Sequence, residues 1–432
     1  MSDILVVVFN LLSDFWGIFK VFIAETWWFW FFLILFPTTR GVWLYWRQLL
    51  YEKSEKYILL EIRMPREIDK GPRVMEQVLK SIHAMANAPA NISDKYWEGE
   101  TPRTFSFEIV SFGGEVRFYI RVYHKYKTLV SAAFFSYYKD VEMVEVDDYM
   151  KKLPADMIEV AKMDYDIWGT EMVLTKPSVY PVKTYVDFET PDEELQLDPI
   201  SSFLEVLSKV KKREVVVIQI VTTSASANWY AKYQSIIDDL RKPRTKSLDL
   251  DSGFPSMRTP GETDILKAVE ENISKSAFNA VIRFIYLSPK NIFYDSFARR
   301  GIIGSFNQYS TLNLNSFRQN FDMSTMTMIW YWPHLFTKTR AQLRKQRLFY
   351  LLRRRMMPPE TSMGKFLSSH LLNWNKHSQT VELNTQVLAT LFHPPAKTVL
   401  TAPHIKRVES RKAGPPAGLE IFGDEKALEK FE

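Results

Sequence analysis

The stretch Thr104–Tyr123, TFSFEIVSFGGEVRFYIRVY, decides the fold class. Phe105, Phe107 and Ile109 alternate with Ser106 and Glu108, and Val116, Phe118, Ile120 and Val122 alternate in the return run. Period-two alternation places each apolar set on one face of a strand. Gly113-Gly114 between them accepts the positive φ angles of a two-residue hairpin turn. The expectation is an antiparallel hairpin with one buried face.

Outward from the hairpin the pattern extends on both sides. Tyr57–Met64 reads as a strand, and Gly71-Pro72 opens a helix whose apolar residues Val74, Val78, Leu79, Ile82 and Met85 keep helical spacing. After the hairpin come a helix over Tyr126–Tyr138 and a strand over Val141–Asp147. This β-α-β-β-α-β order over residues 54–150 predicts a ferredoxin-like split βαβ unit. A second, elaborated unit of the same kind is expected over residues 170–322. Its strands are read at Lys183–Phe188, Glu214–Thr222, Asn279–Leu287 and Thr311–Phe317. Its helices are read after the Asp198-Pro199 cap, over Asn228–Leu240 and over Thr263–Lys275, with a Pro-, Ser- and charge-rich insertion at Arg241–Gly261. The fold class is α+β.

Residues 1–50 have a different character. Ile4–Phe19 gathers Asp3, Asn10, Ser13, Asp14, Gly17 and Lys20 on one side of a helical wheel, which predicts an amphipathic, interfacial helix. Thr26–Thr39 then carries no charge, and Val21–Leu44 is long enough for one transmembrane span. Trp27, Trp28, Trp30, Phe31, Phe32, Leu33, Ile34, Leu35 and Phe36 are its candidate lipid contacts, with aromatics at headgroup level. Arg40 and Arg47 follow, so the positive-inside rule predicts a cytoplasmic-membrane protein with its bulk in the cytoplasm. Asp3 and the bulky aromatics do not suit a cleaved signal peptide, and the clustered tryptophans do not suit a core helix.

Composition bounds the chemistry. The 432 residues include 46% hydrophobic and 25% charged side chains, ordinary for a folded chain. The absence of cysteine excludes disulfides, thiol nucleophiles and thiolate metal sites. Neither G-x-x-x-x-G-K-[ST] nor G-x-G-x-x-G occurs, and the seven histidines show no paired-ligand spacing. Glu142, Glu145, Asp147 and Asp148 cluster at a strand end, where a solvated face is expected. Gly301–Gly304 has the G-x-x-G form of a KH loop but is read as a helix end. No catalytic, cofactor or metal constellation is expected, so a non-enzymatic role is.

The charge is concentrated. Residues 324–359 carry Lys338, Arg340, Arg344, Lys345, Arg347, Arg353, Arg354 and Arg355 and no acidic residue, more than the net +6 of the whole chain. The aromatic run Ile329–Phe336 precedes them. Such a helix can lie on an anionic membrane, neutralise nucleic-acid phosphates, or pair with an acidic patch such as Asp192–Glu194.

Residues 360–432 close with NTQVLATLFHPP from Asn384 and the Gly/Pro-rich TAPHIKRVESRKAGPPAGLEIFG, Thr401–Gly423. This string resembles the segment preceding the motor domain in ATPases of type IV secretion and conjugation systems. WWFWFFLILFP, EIVSFGGEVRFYIRV, AAFFSYYKDVEMVEVDDY and IWGTEMVL resemble an uncharacterised bacterial membrane-anchored family fused to, or found beside, such ATPases. The resemblance implies that a helix with Leu388 and Phe392, and a strap with Pro403, Lys406, Arg407, Pro415 and Pro416, flank an ATPase. The sequence ends at Glu432, where the phosphate loop would follow, so a separate or downstream ATPase is the expected partner. Membrane lipid is the other partner. The expected function is a membrane-anchored accessory module that positions the ATPase; the alternative is a membrane-tethered DNA- or RNA-binding protein using residues 338–355.

Overall fold

The Gly113-Gly114 turn forms with both residues at positive φ, 59° and 93°. A Cβ on Gly114 would meet the Ser208 carbonyl oxygen at 2.9 Å, so the position needs glycine twice over. The structure is a computed structural model that describes residues 2–64, 70–85, 87–189, 197–242, 259–373 and 376–395. Its elements are α1 (Ser2–Ser54), β1 (Tyr57–Arg63), α2 (Pro72–His83), β2 (Phe105–Phe112), β3 (Glu115–Tyr123), α3 (Lys127–Tyr137), β4 (Glu142–Val146), α4 (Met157–Lys162) and β5 (Tyr165–Leu174). There follow α5 (Ser201–Ser208), β6 (Val215–Ser224), α6 (Gln234–Arg241), α7 (Pro260–Ile273), β7 (Ala277–Pro289), α8 (Asp295–Asn307), β8 (Phe317–Asn320), α9 (Thr337–Arg354), α10 (Ser362–Leu367), β9 (Val381–Asn384) and α11 (Thr385–Leu391).

All nine strands form one antiparallel sheet in the order β4-β1-β3-β2-β6-β7-β5-β8, with β9 added to the start of β7. Read from one edge, β4-β1-β3-β2 contains the chain order β1-α2-β2-β3-α3-β4. Read from the other, β8-β5-β7-β6 contains β5-α5-β6-β7-α8-β8, with α6 and α7 inserted between β6 and β7. The halves join through β2 and β6, each the second strand of its half, in register from Phe105↔Thr222 to Phe112↔Val215. The two expected units are therefore halves of one sheet.

The apolar face behaves as its alternation predicts. Phe105, Phe107, Ile109, Val116, Phe118, Ile120 and Val122 lie in the main core beneath α2, α3, α5, α8 and α11. Burying each such large side chain contributes roughly 1.5–3 kcal/mol.

Three expectations fail in the second half. Lys183–Phe188 is not a strand: Thr184 and Asp187 form a capping box around a 3-10 turn at Tyr185–Asp187. The strand in that role is β5, which is buried on both faces and so lacks a clean alternation. The last strand lies at Phe317–Asn320 rather than Thr311–Phe317. Gly301 and Gly304 sit inside α8, not at a helix end, and Gly301 lets α8 approach Val206 of α5, where a Cβ would come within 2.9 Å.

The expected interfacial helix and span are also one element. Helix α1 bends by 43° at Trp30, between the arms Asp14–Phe29 and Phe31–Ser54. Together the arms have the length and composition of a membrane-crossing pair, whereas no single described helix is long and apolar enough to cross. Pro37 removes the backbone donor to the Leu33 carbonyl. The hydroxyls of Thr38 and Thr39 donate to the Ile34 and Leu35 carbonyls at 2.6 and 2.9 Å, which keeps local backbone acceptors satisfied.

Candidate membrane-proximal site

The sheet face opposite the main core carries a row of polar side chains. Cross-strand register aligns Glu61, Tyr119, Glu108, Gln219, Arg283, Glu171 and Asn320 on neighbouring strands from β1 to β8. Directly opposed residues share a face, and every member of the row is buried. Arg283 Nε donates to Glu171 Oε1 at 2.9 Å, and Ser378 Oγ donates to the same oxygen at 2.6 Å. Gln219 Nε2 donates to Glu108 Oε1 at 3.1 Å, and Tyr149 Oη donates to Glu108 Oε2 at 2.6 Å.

Helix α9 covers this row. Leu348, Phe349 and Leu352 pack on Val110 of β2, Val217 of β6 and Ile285 of β7, so the helix bridges the junction of the two halves. Lys345 at its middle pairs with Asp166 at 2.5 Å. Arg355, just past its end and at φ 54°, donates from Nε to Glu108 Oε1 at 2.6 Å and from Nη1 to Asp148 Oδ2 at 2.6 Å. Its Nη2 reaches Glu108 Oε2 at 3.1 Å and Asp148 Oδ1 at 2.9 Å. Burial alone would push the Asp148 carboxyl up, but the hydrogen bonds and charge of Arg355 hold it below the usual carboxylate value. Burial, reinforced by Glu108, pushes the Tyr149 phenol well up, so it remains a donor.

The basic segment is thus largely internal. Arg340, Arg344, Arg347 and Arg355 are 0, 5, 9 and 3% exposed, and Arg353 and Lys345 are half-buried. Arg344 donates to the Phe321 and Met326 carbonyls, Arg347 to that of Lys376, and Arg353 to those of Met150 and Pro154. Only Lys338 and Arg354 of the eight cations are exposed. The segment forms neither a free cationic face nor a surface helix paired with an acidic patch: its partners are internal carboxylates and carbonyl ends. The Asp192–Glu194 patch lies outside the described residues. Asp148, expected on a solvated strand end, joins the buried network, while Glu142, Glu145 and Asp147 pair with Arg63, Lys127 and Lys151 at the surface.

The last turns of α1 dock beside α9. Leu49 packs on Met323, Leu351 and Met356. Gly41 lies against Met363 of α10, 2.9 Å from where a Cβ would sit, and Gly99 at φ 75° meets the Arg47 backbone with a Cβ position only 2.4 Å away. Arg40 lies over the Tyr96 ring with its guanidinium carbon 5.0 Å from the centroid, and Trp43 sits between Trp46 and Trp97, tilted 56° and 58° to them. Trp97, Phe366 and Leu367 remain exposed around this junction. Between α1, the sheet end and Met356–Glu360 lies a cavity of about 680 Å³ lined in part by Gln48, Thr104, Asn279, Lys365, His377 and Ser378. Burial and the Arg347 charge hold the His377 imidazole below its usual pKa, so this ring is neutral at pH 7.

Upstream of the junction, Trp27, Trp28, Phe31, Phe32, Leu33, Ile34, Leu35 and Phe36 are exposed; the Trp30 side chain is outside the described residues. At the other end, Leu388 and Phe392 belong to the main core, Phe392 against the rings of Phe107 and Phe118 at 5.2 and 5.8 Å. His393, also buried, hydrogen-bonds Asp198 at 2.8 Å. Asp198 also accepts from the Ile200 N–H ahead of α5. Pro403, Lys406, Arg407, Pro415 and Pro416 lie outside the described residues. No sequence pattern pointed to Tyr96, Trp97, Glu108 or the pairing of Arg355. Single polar residues inside apolar strands were the available signal for Glu108 and Gln219.

A family model described as "Domain of unknown function (DUF8128)" matches residues 47–406. No curated protein matches the chain.

Proposed function

From the premise that this chain belongs to the DUF8128 family, we propose that it is a membrane-anchored, non-enzymatic module that positions a phosphate-loop ATPase of the secretion or conjugation kind at the cytoplasmic membrane face. Two ferredoxin-like halves form its body. The observation that carries the membrane half is the contrast within α1. Its outer part exposes apolar side chains on all sides, a pattern suited to lipid rather than water. Its last turns are packed into the body through Gly41, Leu44, Gln48 and Leu49. A helix joined to the sheet in this way transmits its membrane position rigidly to the protein surface.

The ATPase half rests on the resemblance of Asn384–Gly423 to the segment preceding such motors. The placement of Leu388 and Phe392 in the core supports it in one respect: the chain that follows leaves from a fixed point on the body. The test is to solubilise membranes containing the full chain in mild detergent and identify what co-purifies. A phosphate-loop ATPase retained by the full chain and lost when residues 401–423 are replaced by a Gly/Ser linker is the expected result. Release of the chain by alkaline carbonate, or purification without any such ATPase, overturns the respective half.

A further inference from the structure

The loop before α9 exposes Ile329, Trp330, Trp332, Leu335 and Phe336, with Trp330 68% and Phe336 66% exposed. It is nonetheless built. Buried Arg340 donates from Nη1 to the Tyr331 carbonyl and from Nη2 to the Trp332 carbonyl, both at 3.0 Å. His334 Nδ1 contacts the Ile329 carbonyl at 3.0 Å, and His334 and Phe336 both take positive φ, 63° and 50°. Non-glycine residues held there require support from their surroundings and mark places where a fixed display has a use.

Direction tells what the loop meets. Tyr45 of α1 lies near Tyr350 and Arg347 of α9, Leu49 packs on Leu351, and Glu52 lies near Arg354. Ascending residues of α1 therefore meet ascending residues of α9, and the two helices run the same way. Three turns before Arg347, ~16 Å back at 1.5 Å per residue, the chain reaches Phe336; three turns before Tyr45 it reaches Ile34 in the uncharged run. Exposed Lys338 sits at the loop's base.

We propose that Ile329–Phe336 is a second membrane contact, a pre-formed aromatic loop that enters the headgroup layer of an anionic bilayer alongside the apolar arm of α1. The inference rests on the membrane reading of α1. Tryptophan rings suit that depth, and a neighbouring lysine gains from anionic headgroups. Two contacts rather than one fix the rotation of the body about α1, which a single helix leaves free.

The absence of cysteine makes the test direct. Single Trp330→Cys and Phe336→Cys variants of the full chain, labelled with an environment-sensitive fluorophore, are reconstituted into phosphatidylcholine/phosphatidylglycerol vesicles. Phe32→Cys in α1 and Leu312→Cys, on a fully exposed body loop, serve as references. The expected result is a blue shift and loss of iodide quenching at 330 and 336, accompanied by quenching from lipid-borne nitroxide, as at 32. Lipid contact at 32 with 330 and 336 behaving like 312 overturns the loop proposal and leaves the anchor. Water exposure at 32 as well overturns both. Protection at 330 from iodide without quenching from lipid assigns the loop to a protein partner and also overturns the proposal.

Discussion

The two faces of the sheet are built on different physics. One buries Phe, Val and Ile side chains under five helices, where each contact is non-directional and tolerates repacking. The other buries a row of polar and charged groups, and beneath α9 Glu108 is held by Gln219, Tyr149 and Arg355. Loss of an apolar side chain leaves a cavity; loss of one charge leaves its partner desolvated and unpaired. The polar face is therefore the more specific and the more brittle of the two, and it lies at the junction of the halves.

The largest effect should come from Arg355→Ala, which strands Glu108 and half-buried Asp148. A loss of about 3–5 kcal/mol is expected from the urea midpoint followed by tryptophan fluorescence in detergent. The cost should also depend on pH. Because Arg355 depresses Asp148, that stability is fully present above the unfolded value near pH 4 and is lost as pH falls through the lower folded value. The gap between native chain and variant should accordingly narrow in acid. Phe392→Ala on the apolar face should cost a comparable or slightly smaller amount, about 3–5 kcal/mol, with a gap that does not follow the Asp148 titration; matching pH profiles would erase the distinction drawn between the faces.

Gly99→Ala should come next, at about 1–3 kcal/mol, since it strains a positive-φ site against the Arg47 backbone. Faster proteolysis between α1 and β2 would be its signature. Replacing both Glu171 and Arg283, as Glu171→Leu with Arg283→Met, should change stability little or raise it, because Arg283 finds a partner only through Nε among the described residues. A loss as large as that of Arg283→Met alone would refute this account of the pair. Smallest of all, Arg354→Ala and Lys338→Ala should stay within about 0.5 kcal/mol in the same denaturation assay.

The hairpin, the elements of the first half and the apolar arm of α1 were legible because each is a local regularity: period two, period 3.6, or a run without charge. β5 was not, since apolar side chains lie on both of its faces, Ile167 on one and Trp168 and Met172 on the other, and the alternation is lost. The eight cations of residues 338–355 were legible as a cluster, but their placement was not. A helix of such charge reads as a surface element until distant carboxylates and carbonyl ends are brought to it. Glu108, Asp148 and the Phe321 carbonyl are separated from their arginines by long stretches of chain.

By itself, then, the sequence determined the element types of the first half, the apolar face of the hairpin and the exposed apolar helix, because these follow from neighbours two to four residues apart. Only the tertiary structure decided that the two halves share one sheet, that the arginines turn inward, and that the last turns of α1 dock beside the end of α9. Each of these depends on pairings between residues far apart in the chain, where burial removes water and leaves a charge only the partners the fold provides.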